Sequence, residues 1–131
     1  MARTRISYLL ASLLHTLVRW QQQLPEGPVL DAFDKQFPRA RYVTWQKWGA
    51  DFWESSFLLP HGEHTAMFTI KGIWIWTRWY VPVSDIPHTI WCQVKPELPM
   101  ESVVKVCCHQ TSMGILYELW SKDGTNTFVA A

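Results

Sequence analysis

The sequence predicts an α+β fold: an antiparallel β-sheet with helices packed on one face. Three observations carry that reading. From Arg41 to Val81 apolar residues recur with a period of two, in runs broken by short turns. Proline-bounded runs with helical spacing precede the strands at Pro28 and again at Pro87. The order of elements after Pro28 repeats, more weakly, after Pro87. The 131 residues suit one core, and 48% apolar against 18% charged residues exclude general disorder.

Residues 1–23 form a segment of their own. Ile6, Leu9, Leu10, Leu13, Leu14 and Leu17 make one stripe of an amphipathic helix. Arg3 and Arg5 before an apolar stretch also suit a retained signal-like segment, but no small-x-small cleavage site follows. The stretch is too short to span a bilayer, so no membrane partner is expected.

The main domain spans residues 24–131. Pro28 opens a helix through Val29, Leu30 and Phe33 to about Phe37, where Pro38 ends it; Asp31, Asp34 and Lys35 read as its solvated face. Strands follow over 42–48, 52–59, 64–70 and 73–81, joined by Gly49-Ala50-Asp51, Pro60 to Glu63 and Lys71-Gly72. Pro87 restarts a helix with Ile90, Trp91 and Val94 as its apolar stripe, and Pro96 and Pro99 stop it. Three more strands cover 102–108, 115–121 and 125–130, the last two joined at Asp123-Gly124. The chain therefore reads as two degenerate helix-plus-hairpin units, 24–82 and 83–131. Each has one apolar sheet face to bury, so both helices are expected on the same face.

The run Phe33-x-x-x-Phe37-Pro38-x-Ala40-x-x-Val43-x-Trp45, then Phe52-x-Glu54-x-x-Phe57, Ala66-x-Phe68 and Gly72-x-Trp74-x-x-Thr77, resembles the PepSY-like, β-lactamase-inhibitor-like family. Asp85-Ile86-Pro87 and Tyr117-Glu118 extend the resemblance over about residues 24–130. It implies tandem helix-and-sheet units whose sheet presents a concave face, aromatic and partner-gripping in the inhibitor that the family is compared with. It also implies export from a bacterial cell; a docked N-terminal helix would instead suit a cytoplasmic protein.

Little in the sequence points to catalysis. It holds no Gly-rich phosphate loop, GxSxG elbow or HExxH motif. His61-Gly62-Glu63-His64 has ligand-like spacing but falls on a turn and lacks further ligands. In Cys107-Cys108-His109 adjacent strand residues diverge, so packing thiols are expected there, and neither a metal nor a cofactor. Glu54 and Glu118 occupy equivalent repeat positions, and nothing brings them together as an acid–base pair. The three cysteines make no disulfide framework; one bridge from Cys92 to Cys107 or Cys108 stays open, with buried free thiols as the default. Twelve basic residues against eleven acidic give a net charge of +1, too balanced for a nucleic-acid binder.

The nine tryptophans single out Ile73-Trp74-Ile75-Trp76-Thr77-Arg78-Trp79-Tyr80. Strict alternation puts Ile73, Ile75, Thr77 and Trp79 on one face, suited to the core, and Trp74, Trp76, Arg78 and Tyr80 on the other. The second set has the composition of an interface hot spot. The expected function is a non-enzymatic module binding a protein or peptide through that face. The alternative is a carbohydrate or small apolar ligand lying on the tryptophan rings. A homodimer through the N-terminal helix is the other partner that the stripe suggests. If that helix docks, Leu13→Asp with Leu14→Asp lowers stability by several kcal/mol or dissolves a dimer, since each buried leucine contributes roughly 1.5–3 kcal/mol. An unchanged melting temperature and mass would mark a cleavable or membrane-directed segment.

Overall fold

The computed structural model describes residues 23–94 and 98–131; the amphipathic stripe of residues 6–17 lies outside them. Helix α1 (Gly27–Gln36) begins as Pro28 fixes the first turn and Glu26 accepts from the Val29 and Leu30 amides at 3.0 and 3.2 Å. It ends where Phe37 leaves helical geometry ahead of Pro38. Seven antiparallel strands follow, β1 (Arg41–Trp48), β2 (Phe52–Leu59), β3 (Gly62–Thr69), β4 (Trp74–Val81), β5 (Val103–Thr111), β6 (Gly114–Ser121) and β7 (Asn126–Ala130). They lie in one sheet in chain order, so every connection but β4 to β5 is a tight hairpin. That longer connection holds a 3₁₀ turn at Val83–Asp85, helix α2 (His88–Trp91) and a second 3₁₀ turn at Met100–Ser102.

One row of paired residues fixes which face is covered. Phe57, His64, Trp79, Cys108, Tyr117 and Val129 are successive cross-strand partners from β2 to β7, and directly paired residues point the same way. Phe57 belongs to a buried cluster with Val29 and Phe33 of α1, Trp45, Trp53, Ala66 and Phe68. Val129 belongs to a second, with Ile86, Ile90, Val103, Val106 and Leu119. Both clusters therefore sit on the same face. His64 stacks between Phe57 and Trp79, with ring centroids at 5.9 and 5.5 Å, and its Nδ1 lies 2.9 Å from the Gly62 carbonyl. It is a core aromatic, which removes His61 and His64 as a ligand pair.

Three expectations change. The second helix shrinks to one turn, because only Ile86 and Ile90 of its segment are buried and a short helix needs packing to persist. The alternation along β4 fails at its start: Met67 pairs with Trp76 but Phe68 pairs with Trp74, so Ile75 is the extra residue of a β-bulge. Ile73 and Ile75 are consequently exposed, whereas Thr77 keeps its place in the core. The cysteines are all free; Cys107 and Cys108 are buried, but Cys92 is exposed.

Two turns yield tests. Gly72 adopts φ +85, and a Cβ there would stand 2.5 Å from the Pro28 carbonyl oxygen at the start of α1. Gly72→Ala should therefore cost more than the roughly 1–2 kcal/mol of a left-handed residue alone, as chemical denaturation would show. In the β6–β7 hairpin, Asp123 Oδ1 accepts from the Ser121 hydroxyl, from Thr125 Oγ1 at 2.7 Å and from the Thr125 amide at 3.0 Å. These bonds hold its carboxyl down from 3.8 to about 2. A depressed folded pKa stabilises above the unfolded value, and that contribution is lost as pH falls through the folded one. Asp123→Asn should thus be less stable than the parent at neutral pH, and urea titrations should show the gap closing from pH 3.8 to about 2.

Candidate functional site

The face opposite the helices carries no helix among the described residues. Its central row runs Ser56, Thr65, Arg78, His109, Leu116 and Ala130. The neighbouring row runs Tyr80, Cys107, Glu118 and Phe128. Between them lies a hollow of about 410 Å³, with Arg78, Tyr80, Lys105, Cys107, His109 and Glu118 among its walls.

Of the four residues singled out in β4, the structure brings three to this face. Trp76 is half-buried with the Arg78 guanidinium 4.0 Å above its ring. Tyr80 is 59% exposed, and Lys105 Nζ lies 4.9 Å from its ring and 5.4 Å from that of Trp120. Trp74 is the exception. The bulge at Ile75 turns it to the helix side, where it packs against the α1 cluster and its Nε1 donates to Thr77 Oγ1 at 2.8 Å. The side chains of Trp74 and of the other three therefore do not share a surface.

Cation–π contacts organise the open face. Each is worth about 0.5–1 kcal/mol where exposed, and together they hold two long cationic side chains flat on aromatic rings. Aromatic surface is thus presented with positive charge at its centre. The acids near it are Glu63 and Glu118.

Sequence reasoning passed over the polar cluster on this face. Cys107, His109 and Glu118 place one donor atom each within 4.8 Å of one another. His109 Nε2 donates to Glu118 Oε1 at 3.1 Å, and Asn126 Nδ2 donates to Glu118 Oε2 at 2.8 Å. The divergence of strand neighbours does hold for Cys108, which faces the helices. It does not separate Cys107 from His109, two residues apart, because β5 runs on to Thr111 instead of ending at Cys108. The signal was available: a two-residue turn at Ser112-Met113 puts Cys107 opposite Glu118. Glu54, by contrast, lies on β2, four strand spacings or roughly 19 Å from β6, so Glu54 and Glu118 do not form a pair.

Burial and then the nearby Glu118 carboxylate push the Cys107 thiol up, against a smaller pull from Arg78 and Lys105. Cys108 is raised to about 11, chiefly by burial. Both are thiols at neutral pH, which is the wrong state for a nucleophile. Burial would raise the Glu118 carboxyl, but hydrogen bonds from Asn126 and His109 outweigh it and hold the group below its ordinary range. Glu118 is thus an anion fixed by two donors.

No family model matches the chain, and no curated protein does. Solved structures share its fold. A BLIP-like protein of Bacteroides fragilis superposes with a TM-score of 0.69 at 15% identity, covering 83% of this chain and 79% of that one. A DUF2874 family protein of Bacteroides ovatus gives 0.66 at 18% identity, over 83% and 82% of the two chains. A protein of Bacteroides eggerthii described as periplasmic gives 0.64 at 13%, over 82% and 83%. No helix among the described residues is long and apolar enough to cross a membrane. The chain therefore shares the fold of the BLIP-like protein and its neighbours, an α+β arrangement on an antiparallel sheet as the motif pattern implied.

Proposed function

We propose that this chain is a non-enzymatic binding module that takes a protein or peptide on its open sheet face. The observation that carries this reading is the grouping of Arg78, Tyr80 and Trp120 around one hollow, with Trp76 beneath the Arg78 guanidinium beside it, on the face that no helix covers among the described residues. Tryptophan, tyrosine and arginine are the residues that most often dominate binding energy, and contiguous exposed aromatics mark contact surfaces. Trp74 is left out of the face, its ring serving the packing beneath α1. The name of the BLIP-like neighbour supports a protein partner, and the neighbour described as periplasmic supports export.

The domain reading goes with this proposal. Each half has its own helix-side cluster on one continuous sheet, which supports two degenerate helix-plus-hairpin units at 24–82 and 83–131. Residues 1–23 would then be a separate element, through which a homodimer could assemble. A carbohydrate on the exposed rings is the second reading, favoured by the 59% exposure of Tyr80. Saturable quenching of tryptophan fluorescence by a glycan would select it.

Trp76→Ala separates a binding face from a core. On a binding face it should weaken capture of the partner from the native lysate by about 2 kcal/mol or more and barely move the denaturation midpoint. A stability loss of roughly 3–5 kcal/mol would make Trp76 a core residue and end the proposal.

A further inference from the structure

Among the described residues, one cluster brings a thiol, an imidazole and a carboxylate together. Cys107 Sγ, a His109 ring nitrogen and a Glu118 carboxylate oxygen lie within 4.8 Å of one another, on residues that line the hollow of the open face. Their carriers are rigid. Cys107 and His109 are alternate residues of β5, and Glu118 is the direct cross-strand partner of Cys107 on β6.

From this geometry we infer that Cys107, His109 and Glu118 form a binding site for a single zinc-class divalent ion, open to solvent on the side of the hollow. The donor set selects the ion. One sulfur, one imidazole nitrogen and one carboxylate suit Zn²⁺, whereas Mg²⁺ and Ca²⁺ take oxygen ligands. Ligand atoms around tetrahedral zinc lie roughly 3.3–3.7 Å apart. His109 Nε2 and Glu118 Oε1 already stand at 3.1 Å, so Cys107 has at most roughly 1.5 Å to close. Three protein ligands leave a fourth position, which faces the hollow.

The surroundings fit an ion. Asn126 holds the second oxygen of Glu118 at 2.8 Å, the outer-sphere bond that orients a metal-binding carboxylate. The Phe128 ring lies 6.3 Å from that of His109, adding an apolar wall. Arg78 and Lys105 are the cations of the hollow, and both are drawn onto aromatic rings, Arg78 on Trp76 and Lys105 between Tyr80 and Trp120. Binding balances simply. The ion displaces the Nε2 proton that His109 donates to Glu118 Oε1; that proton leaves to solvent and the imidazole ligand carries one on Nδ1, so it binds as neutral imidazole. The Cys107 thiol gives up its proton to solvent as the metal–sulfur bond forms, and nothing is oxidised or reduced.

Cobalt(II) is the probe, titrated into the reduced full-length chain and followed by absorption, with Zn²⁺ as competitor. The expected result is one ion per chain with a thiolate-to-cobalt charge-transfer band, displaced by Zn²⁺. Cys107→Ser should abolish the band. His109→Ala and Glu118→Gln should each weaken binding at least about tenfold, and Asn126→Ala by about 10–100-fold, as outer-sphere losses do. Cys92→Ser should change nothing. That variant matters because Cys92 Sγ lies 3.4 Å from His88 Nε2, the other Cys–His pair of the described surface. Absence of the band, its survival in Cys107→Ser, or its loss in Cys92→Ser would overturn the site. Should Cys107→Ser not fold by circular dichroism, His109→Ala decides, since its side chain is partly exposed. Unchanged cobalt affinity in a folded His109→Ala protein would overturn the site as well.

Discussion

The ring of Phe33 is the contact from which the rest of the architecture follows. It projects from α1 onto the sheet and meets Trp45, Phe57 and Phe68 edge-on, at centroid distances of 5.1, 5.0 and 6.1 Å. Edge-to-face contacts at such distances are favourable beyond simple burial, because the positive ring edge meets a negative face. They also commit three strands at once. With Phe57 turned toward the helix, the paired row through His64, Trp79, Cys108, Tyr117 and Val129 has to turn the same way. The site on the opposite face is in this sense a consequence of where one helix docks.

The covered face is filled unevenly. Under α1 the core is aromatic, with Phe33, Trp45, Trp53, Phe57 and Phe68, while under α2 it is aliphatic, with Ile86, Ile90, Val103, Val106, Leu119 and Val129. The aromatic half has a ten-residue helix above it, and the aliphatic half has a single turn flanked by 3₁₀ turns. The bulge at Ile75 sits where the aromatic half meets β4. By moving Trp74 beneath α1 it adds an indole to the core, and it leaves Trp76 beside Arg78 on the open face. A one-residue insertion thus sorts neighbouring tryptophans into a structural and a surface role.

The open face owes its polar character to cross-strand registry more than to any sequence motif. Arg78, His109, Cys107 and Glu118 come from three strands, and only antiparallel pairing gathers them around one hollow. Rigid strands on both sides hold these groups without a flexible loop. Burial keeps Cys107 protonated while donors keep Glu118 charged, so acidic and neutral groups stand side by side.

Seven strands, the position of α1 and an α+β sheet are legible in the sequence, because period-two alternation and proline punctuation are local properties of the chain. It also marked Trp76, Arg78 and Tyr80, whose shared face follows from strand geometry alone. The fate of Trp74 is set between strands, since a bulge depends on how β4 registers against β3 and leaves no trace in composition. The same holds for Cys107, His109 and Glu118. A strand ended at Cys108, three residues short of Thr111, hides the pairing of Cys107 with His109, and Glu118 joins them only through its pairing across β5 and β6. Alternation is written in one strand at a time; proximity between strands is a matter of register, which is set by turns, bulges and the helix that presses on the sheet.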